Sequence, residues 1–394
     1  MIVVATTHPI EQIPPILSLL RVSIILGEKV HLLDLTYTVR SKTCLKEFGI
    51  PYTLKSYWPI VRFREHPFRN ALGKLRKRLG CEIGVMDYSD SKRRFLRENI
   101  TRLIRNDDNS ILVTTNMTTV ALIGDAALRF GSRHIHWSLE FGDRNGIGWS
   151  DFDEKAFFRT ATFVACERNR ARLMMEAENL AQMPFVVPNK SYGHPRTRNL
   201  PIGDGRVRAI VNHWNGKKVF LYQGSLGEDR KGIFDLMGWL CEEFPECIVA
   251  VMSGYVSRTV QEMEARFQNF YHIPHVTAPH HLEITSHATV GVAVYSKGRV
   301  GNLSPLNAVY CAPNKTFEYA GFGIPMLCND MPGLVDSVGD AGAAICAKLE
   351  REPMMNAAHR LLDEYARYSS NASSFFDAFD ERMVIADIFS YARR

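Results

Sequence analysis

Short β-branched runs alternate with amphipathic segments along the whole chain, which predicts parallel sheets covered by helices rather than a sandwich or a bundle. In the first half the strand candidates are IVVATT (2–7), VHLLDL (30–35), EIGVMD (82–87), SILVTT (110–115), HIHWSL (134–139), TFVAC (162–166) and FVVP (185–188). Helical stretches separate most of them, clearest in PPILSLLRVSIIL (14–26), SKRRFLRENITRLIR (91–105) and TTVALIGDAALRF (118–130). The second half repeats the alternation with VFLYQG (219–224), IVAVMSG (248–254), VGVAVY (290–295), PMLCN (325–329) and AAIC (343–346). Between the halves, NKSYGHPRTRNLPIGDGRV (189–207) is rich in Pro, Gly, Asn and Arg and carries no apolar period. It reads as a linker. The expectation is an α/β protein of two doubly wound, Rossmann-like domains, 1–190 and 208–370, joined by residues 191–207 and facing across a cleft. Residues 371–394 are helical without strands and are expected to pack back on the first domain. Open parallel sheets bind ligands beyond the carboxyl ends of their strands, so the loops that follow the strands are where chemistry is expected.

Composition changes this picture little. A length of 394 residues exceeds what one core usually organises, and 46% hydrophobic with 23% charged residues is ordinary for globular domains. The eight cysteines are scattered, without a C-x-x-C pair or a zinc-finger partner, and read as reduced, mostly buried thiols. The N-terminus enters a strand-like run at once and shows no secretion signal, and no apolar stretch approaches the ~18 residues of a spanning helix. A cytoplasmic protein is expected, attached at most peripherally to the inner face of the cell membrane.

Charge adds one feature. The net charge of +6 is concentrated in VRFREHPFRNALGKLRKRLG (61–80), where Arg62, Arg64, Arg69, Lys74, Arg76, Lys77 and Arg78 face only Glu65. Lys92, Arg93, Arg94 and Arg97 follow. Such a run is either a solvated helix face or the seat of an anionic partner, here an anionic membrane surface rather than nucleic acid.

Two segments of the second half carry chemistry. After VFLYQG comes the turn GSLGEDRKG (224–232), leading into IFDLMGWLCEEF (233–244). Gly224, Ser225 and Gly227 let a ligand approach the backbone, and Arg230 and Lys231 place cations at a helix start that already favours anions. The turn reads as a diphosphate seat or as an ordinary strand–helix turn; it is neither a Walker A loop nor a G-x-G-x-x-G fingerprint. The second segment is NLSPLNAVYCAPNKTFEYAGFGIPMLCND (302–330). Pro313 and Asn314 start a short helix carrying Lys315, Glu318 and Tyr319, Gly321 and Gly323 end it, and Pro325 opens the next strand. A carboxylate at Glu318 would accept hydrogen bonds from paired hydroxyls such as those of a ribose; the alternative is an exposed helix glutamate.

Together these segments resemble the nucleotide-binding half of the GT-B glycosyltransferases, in particular the group-1, family 4-like set of bacterial polysaccharide synthesis. The resemblance rests on Gly224, the Lys231-Gly232 pair, and Pro313-Asn314-Lys315 through Glu318-Tyr319, Gly323 and Pro325, and covers about residues 205–350. It implies transfer of a sugar from a nucleotide diphosphate sugar to a glycan or lipid-linked acceptor. Lys231 would contact the donor diphosphate and Glu318 the ribose, with Gly224, Ser225, Arg230, Asn314, Lys315 and Tyr319 completing the donor site. No cofactor beyond the donor is implied. Three positions depart from the pattern: Ser225 stands where a basic residue is frequent, Tyr310 stands eight positions before Glu318 where retaining members carry a second glutamate, and THPIEQ replaces the glycine pair after strand one.

The first half offers Glu140 and His8, each just after a predicted strand, as the base that deprotonates an acceptor hydroxyl, with Glu140 ahead. Asp143 lies near Glu140, and His136 reads as a strand residue. Asp151 and Asp153 form a D-x-D triplet, but SDFDEKAFF reads as a helix start capped by Ser150 or Asp151, so metal-independent catalysis is expected. The rival readings are a GT-B-like nucleotide-sugar epimerase and a basic module that binds anionic lipid or nucleic acid.

Overall fold

The computed structural model describes residues 1–6, 10, 13–34, 53–56, 88–106, 109–139, 152–214, 216–224, 226, 231–254, 256–296 and 304–394. The chain forms two compact units. The first groups Met1–Glu140, Arg144–Val187 and Glu381–Arg394, and Pro188–Asp380 belongs to the second.

The first unit holds a sheet of β1 (Ile2–Thr6), β2 (Val30–Asp34), β3 (Thr53–Ser56), β4 (Ile111–Thr114), β5 (His134–Ser138), β6 (Thr162–Ala165) and β7 (Phe185–Val186). Its order is β3-β2-β1-β4-β5-β6-β7, and every pairing is parallel. The second unit holds β8 (Val219–Gln223), β9 (Ile248–Ser253), β10 (Phe270–Pro274), β11 (Val290–Ala293), β12 (Met326–Asn329) and β13 (Ala344–Ala347). Here the order is β10-β9-β8-β11-β12-β13, again all parallel. Each sheet therefore reverses its winding once, beside β1 in the first and beside β8 in the second. Those switch points open a crevice at the carboxyl ends of the strands.

Strand β8 shows why its sequence is apolar at each position from Val219 to Tyr222. Val219 and Leu221 enter one core with Ile248, Ala250 and Met252, whereas Phe220 and Tyr222 enter the core on the opposite face with Val249 and Val251. A central strand covered on both faces has no solvent side to mark with polar residues. Truncating Phe220, fully buried, to Ala would cost about 3–5 kcal/mol.

Four sequence expectations change. β3 and β10, absent from the predicted strands, are edge strands with a single neighbour each, and Phe270–Pro274 carries half-exposed Tyr271 and His272 where a central strand would be apolar. The predicted helix over 118–130 ends at Ile123, because Gly124 adopts φ +62° and a turn of tighter helix follows. Arg97 lies against that bend and donates from Nε to the Ile123 carbonyl at 3.1 Å, so this cation serves the helix end. The helix Glu154–Thr160 is capped by Asp153, which accepts from the Ala156 amide at 2.9 Å. That cap lies two residues beyond Asp151, and it engages one carboxylate of the D-x-D triplet. EIGVMD (82–87) and the basic stretch 61–80 lie outside the described residues.

Residues 188–204 form neither helix nor strand and are tied along the second unit. Asn189 donates to the Ala312 carbonyl at 2.5 Å, Lys190 to the Phe379 carbonyl at 2.6 Å, and Arg196 pairs with Asp377 at 2.7 Å. Among the last helices, Tyr365–Asp377 stacks Phe375 on Phe317 at 4.9 Å within the second unit. The final helix Glu381–Ala392 is part of the first unit, where Ser132 donates to the Ala392 carbonyl at 3.0 Å and Arg393 pairs with Glu28 at 2.6 Å. Among the described residues no helix is long and apolar enough to cross a membrane.

Candidate active site

The switch point of the second sheet gathers polar side chains that the sequence scatters over more than a hundred positions. β8 ends in Gln223 and is followed by Gly224, which adopts φ +145°. The helix Asn314–Gly321, entered through an extended Pro313, brings Lys315 and Glu318 to the same place. A Cβ at Gly224 would stand 3.2 Å from the Lys315 Nζ and 3.4 Å from the Tyr222 hydroxyl, so the ammonium lies against bare backbone.

Lys315 is only 8% exposed. Its Nζ lies over the Tyr222 ring at 4.1 Å and near the Tyr295 ring at 5.3 Å, and π faces stabilise a cation removed from water. Among the described residues no carboxylate lies within salt-bridge distance of it. Tyr295 is placed by Asn329, which accepts from its backbone N–H at 3.0 Å and donates to its carbonyl at 2.8 Å. The result is a nearly buried ammonium with hydrogen-bonding capacity in reserve.

Glu318 lies one helical turn further on, with 13% of its side chain exposed. Oε1 accepts from His281 Nε2 at 3.1 Å, and Oε2 accepts from Gln223 Nε2. Burial works against ionisation of this carboxyl, but the opposing pull of His281, His194 and Lys315 is stronger, and the pKa falls below the usual glutamate value. Burial also pushes His194 down to about 4, so that ring is neutral at neutral pH. The remaining attraction there comes from His281 and Lys315. An ionised, largely buried carboxylate beside an ammonium that no described carboxylate reaches within salt-bridge distance can accept two hydroxyls while the ammonium binds an anion.

The other sequence-predicted residues divide. Asn314 is half-buried at the first position of the helix. Tyr319 has no exposed surface, and its hydroxyl donates to the Leu221 carbonyl at 2.8 Å. It braces the helix against β8 from beneath and presents nothing to a donor. Lys231 opens the helix Lys231–Glu243, while its side chain, together with Ser225, Arg230, Glu140, Asp143 and His8, lies outside the described residues. His136 is a buried strand residue bonded to the Thr114 hydroxyl at 3.0 Å.

Gln223, His281, Thr285, Tyr295 and Asn329 escaped the sequence reading. Gln223 left a trace, as a polar residue closing an apolar strand directly before a glycine. The others are single polar residues in a short helix, in a loop and at the end of β12, with nothing in their spacing to tie them to Glu318.

Two doubly wound parallel sheets in one chain, each with its own switch point, define the GT-B fold. The chain is similar in fold to HepE from Anabaena in complex with UDP and glucose, with TM-score 0.63 and 11% identity over 99% of this chain and 97% of that one. It is similar likewise to WaaG, a glycosyltransferase involved in lipopolysaccharide biosynthesis, with TM-score 0.58 and 10% identity over 99% of both chains. A UDP-GlcNAc 2-epimerase from Neisseria meningitidis bound to UDP-GlcNAc shares the fold with TM-score 0.53 and 11% identity over 99% of this chain and 97% of that one. No protein-family model and no curated protein sequence matches the chain.

Proposed function

We propose that the chain is a glycosyltransferase that moves a sugar from a nucleotide diphosphate sugar to a glycan or lipid-linked acceptor in surface polysaccharide or glycolipid assembly. The observation that carries this reading is Lys315, a nearly buried ammonium with no carboxylate among the described residues in salt-bridge reach, at the carboxyl end of β8 and against the bare backbone of Gly224. An isolated buried charge is costly unless something pairs with it, and a diphosphate is the pairing group that also suits a ribose-binding carboxylate at Glu318. HepE in complex with UDP-glucose, TM-score 0.62, supports a sugar nucleotide as the ligand.

In the transfer the bond from the anomeric carbon to the diphosphate oxygen breaks and its electron pair stays on the phosphate. Lys315 and Lys231, with the amides that open the latter's helix, stabilise that growing charge. The acceptor hydroxyl forms the new bond, and its proton passes to a base in the first half, Glu140 ahead of His8. Glu140→Gln should lower kcat by roughly 10²–10⁴-fold with donor binding kept; an unchanged rate beside a collapsed His8→Ala variant transfers the role. Residues 61–80 are read as the surface that meets anionic lipid and admits a lipid-linked acceptor, seven cations at ~1 kcal/mol each being ample. Equal co-sedimentation with anionic and neutral vesicles would return them to a solvated face.

The deciding experiment is a thermal-shift titration of the full chain with UDP, GDP, ADP and CDP. A ligand that binds only the folded chain raises its melting temperature. No shift with any of the four refutes the nucleotide reading. The epimerase fold neighbours define the one competing activity at the same site. Conversion of a sugar nucleotide without any acceptor would favour it.

A further inference from the structure

Both oxygens of Glu318 are held, and each by a different side chain. Gln223, 5% exposed, reaches Oε2 through Nε2, and His281 reaches Oε1 through Nε2 at 3.1 Å. Behind Gln223 stands Thr285, fully buried, whose hydroxyl donates to Gln223 Oε1 at 2.7 Å and lies 3.0 Å from the His281 carbonyl. The carboxylate, which only accepts, fixes the facing of the amide, and that hydroxyl holds the amide oxygen on the other side. With Oε1 accepting from Thr285, the amide nitrogen must turn to the carboxylate, since the flipped amide would set oxygen against oxygen.

Glu318 is ionised and only accepts, so His281 carries its proton on Nε2. Its Nδ1 is buried without a partner. The ring therefore makes one side-chain hydrogen bond, and that bond goes to Glu318. A buried polar atom left unpaired is uncommon in a group kept for packing alone.

We infer that His281, Gln223 and Thr285 are positioning residues that aim the two oxygens of Glu318 at neighbouring ribose hydroxyls, and that they set a preference for ribonucleotide over 2′-deoxyribonucleotide donors. This rests on the reading of the site as a nucleotide site. Each carboxylate oxygen accepts from the protein on one lone pair and keeps another for the ligand. A ribose offers one hydroxyl to each. A 2′-deoxyribose leaves one oxygen without its donor in a place of little water, which is how a polar site rejects an analogue lacking a hydroxyl. The last torsion of a glutamate is soft, so loss of either tether lets the carboxylate turn and the preference falls. The phosphate contact at Lys315 does not pass through these tethers.

The test is calorimetric titration of the full chain with UDP, GDP, ADP and CDP, each beside its 2′-deoxy form, in wild type, His281→Leu, His281→Gln and Thr285→Val. Wild type should prefer the ribonucleotide by about tenfold or more. His281→Leu and Thr285→Val should reduce that ratio to about threefold or less, while His281→Gln, which keeps an N–H within reach, retains most of it. Thr285→Val preserves shape and covers the case in which His281→Leu does not fold. A wild-type ratio retained by folded His281→Leu and Thr285→Val, or no preference in wild type, overturns the inference while the nucleotide reading stands. No binding of any nucleotide to folded wild type overturns both.

Discussion

The Lys315 ammonium stands 3.2 Å from the point where a side chain at Gly224 would begin. Two residues from segments ninety positions apart thus share one space, and the backbone of Gly224 takes φ +145°, where an L side chain is strained. Gly224→Ala should therefore displace the ammonium and cost roughly 1–3 kcal/mol of stability. Urea unfolding with UDP titration checks this. Unchanged stability and unchanged affinity together would show that the Lys315 side chain gives way freely and that its place is not fixed by the glycine.

Lys315→Met separates binding from stability. Replacing a nearly buried cation that makes no salt bridge among the described residues by an apolar side chain of similar length removes the desolvation of the charge together with its attraction for Glu318, so the unfolding free energy should change little. Nucleoside diphosphate affinity should fall by about tenfold or more, the loss of one charge-assisted contact. A variant that loses stability but keeps affinity would make Lys315 a structural residue.

Acid should destabilise the fold before its carboxylates titrate fully. Burial, helped by neighbouring His136, lowers His134 to about 3, and burial lowers His194 to about 4. In the unfolded chain both titrate near 6.5. Between about 6.5 and 4 the unfolded chain binds protons that the folded chain refuses, so stability present above 6.5 is lost as pH falls, and the His134 share continues down to about 3. Each group contributes up to about 1.4 kcal/mol per pH unit. Urea unfolding at pH 7, 6 and 5 should show the decline, and His134→Gln, whose amide can still meet Thr114, should flatten it by about half. An unchanged slope in that variant would assign the proton uptake to other groups.

Turnover should survive chelation. Asp153 caps the helix Glu154–Thr160, and the proposed leaving-group charge is met by Lys315, Lys231 and backbone amides. Initial rates in excess EDTA decide it. Activity lost and then restored by Mg²⁺ or Mn²⁺ would return Asp151 and Asp153 to consideration as ligands.

By itself the sequence determined what is local or periodic. Doubly covered strands such as Val219–Gln223 and Ile248–Ser253 must be apolar on both faces, so their runs were legible, as was the helix Asn314–Gly321, with Pro before it and Gly323 after. Lys315 and Glu318 were singled out as candidates too, through a pattern that resembles that of a known family. The tertiary structure alone decided what meets what. The edge strands Thr53–Ser56 and Phe270–Pro274 have one neighbour and need no apolar run, so pairing rather than pattern reveals them. Tyr319 and Glu318 are adjacent in sequence, yet the helix turns one beneath β8 to the Leu221 carbonyl and the other into the site. Gln223, Thr285 and His281 converge on Glu318 only because β8 and the helices His281–Thr285 and Asn314–Gly321 end at one switch point. Hydrogen bonds between side chains reach across about 3 Å of space whatever their separation along the chain, and a single polar residue leaves no periodic trace of the partner that the fold will bring to it.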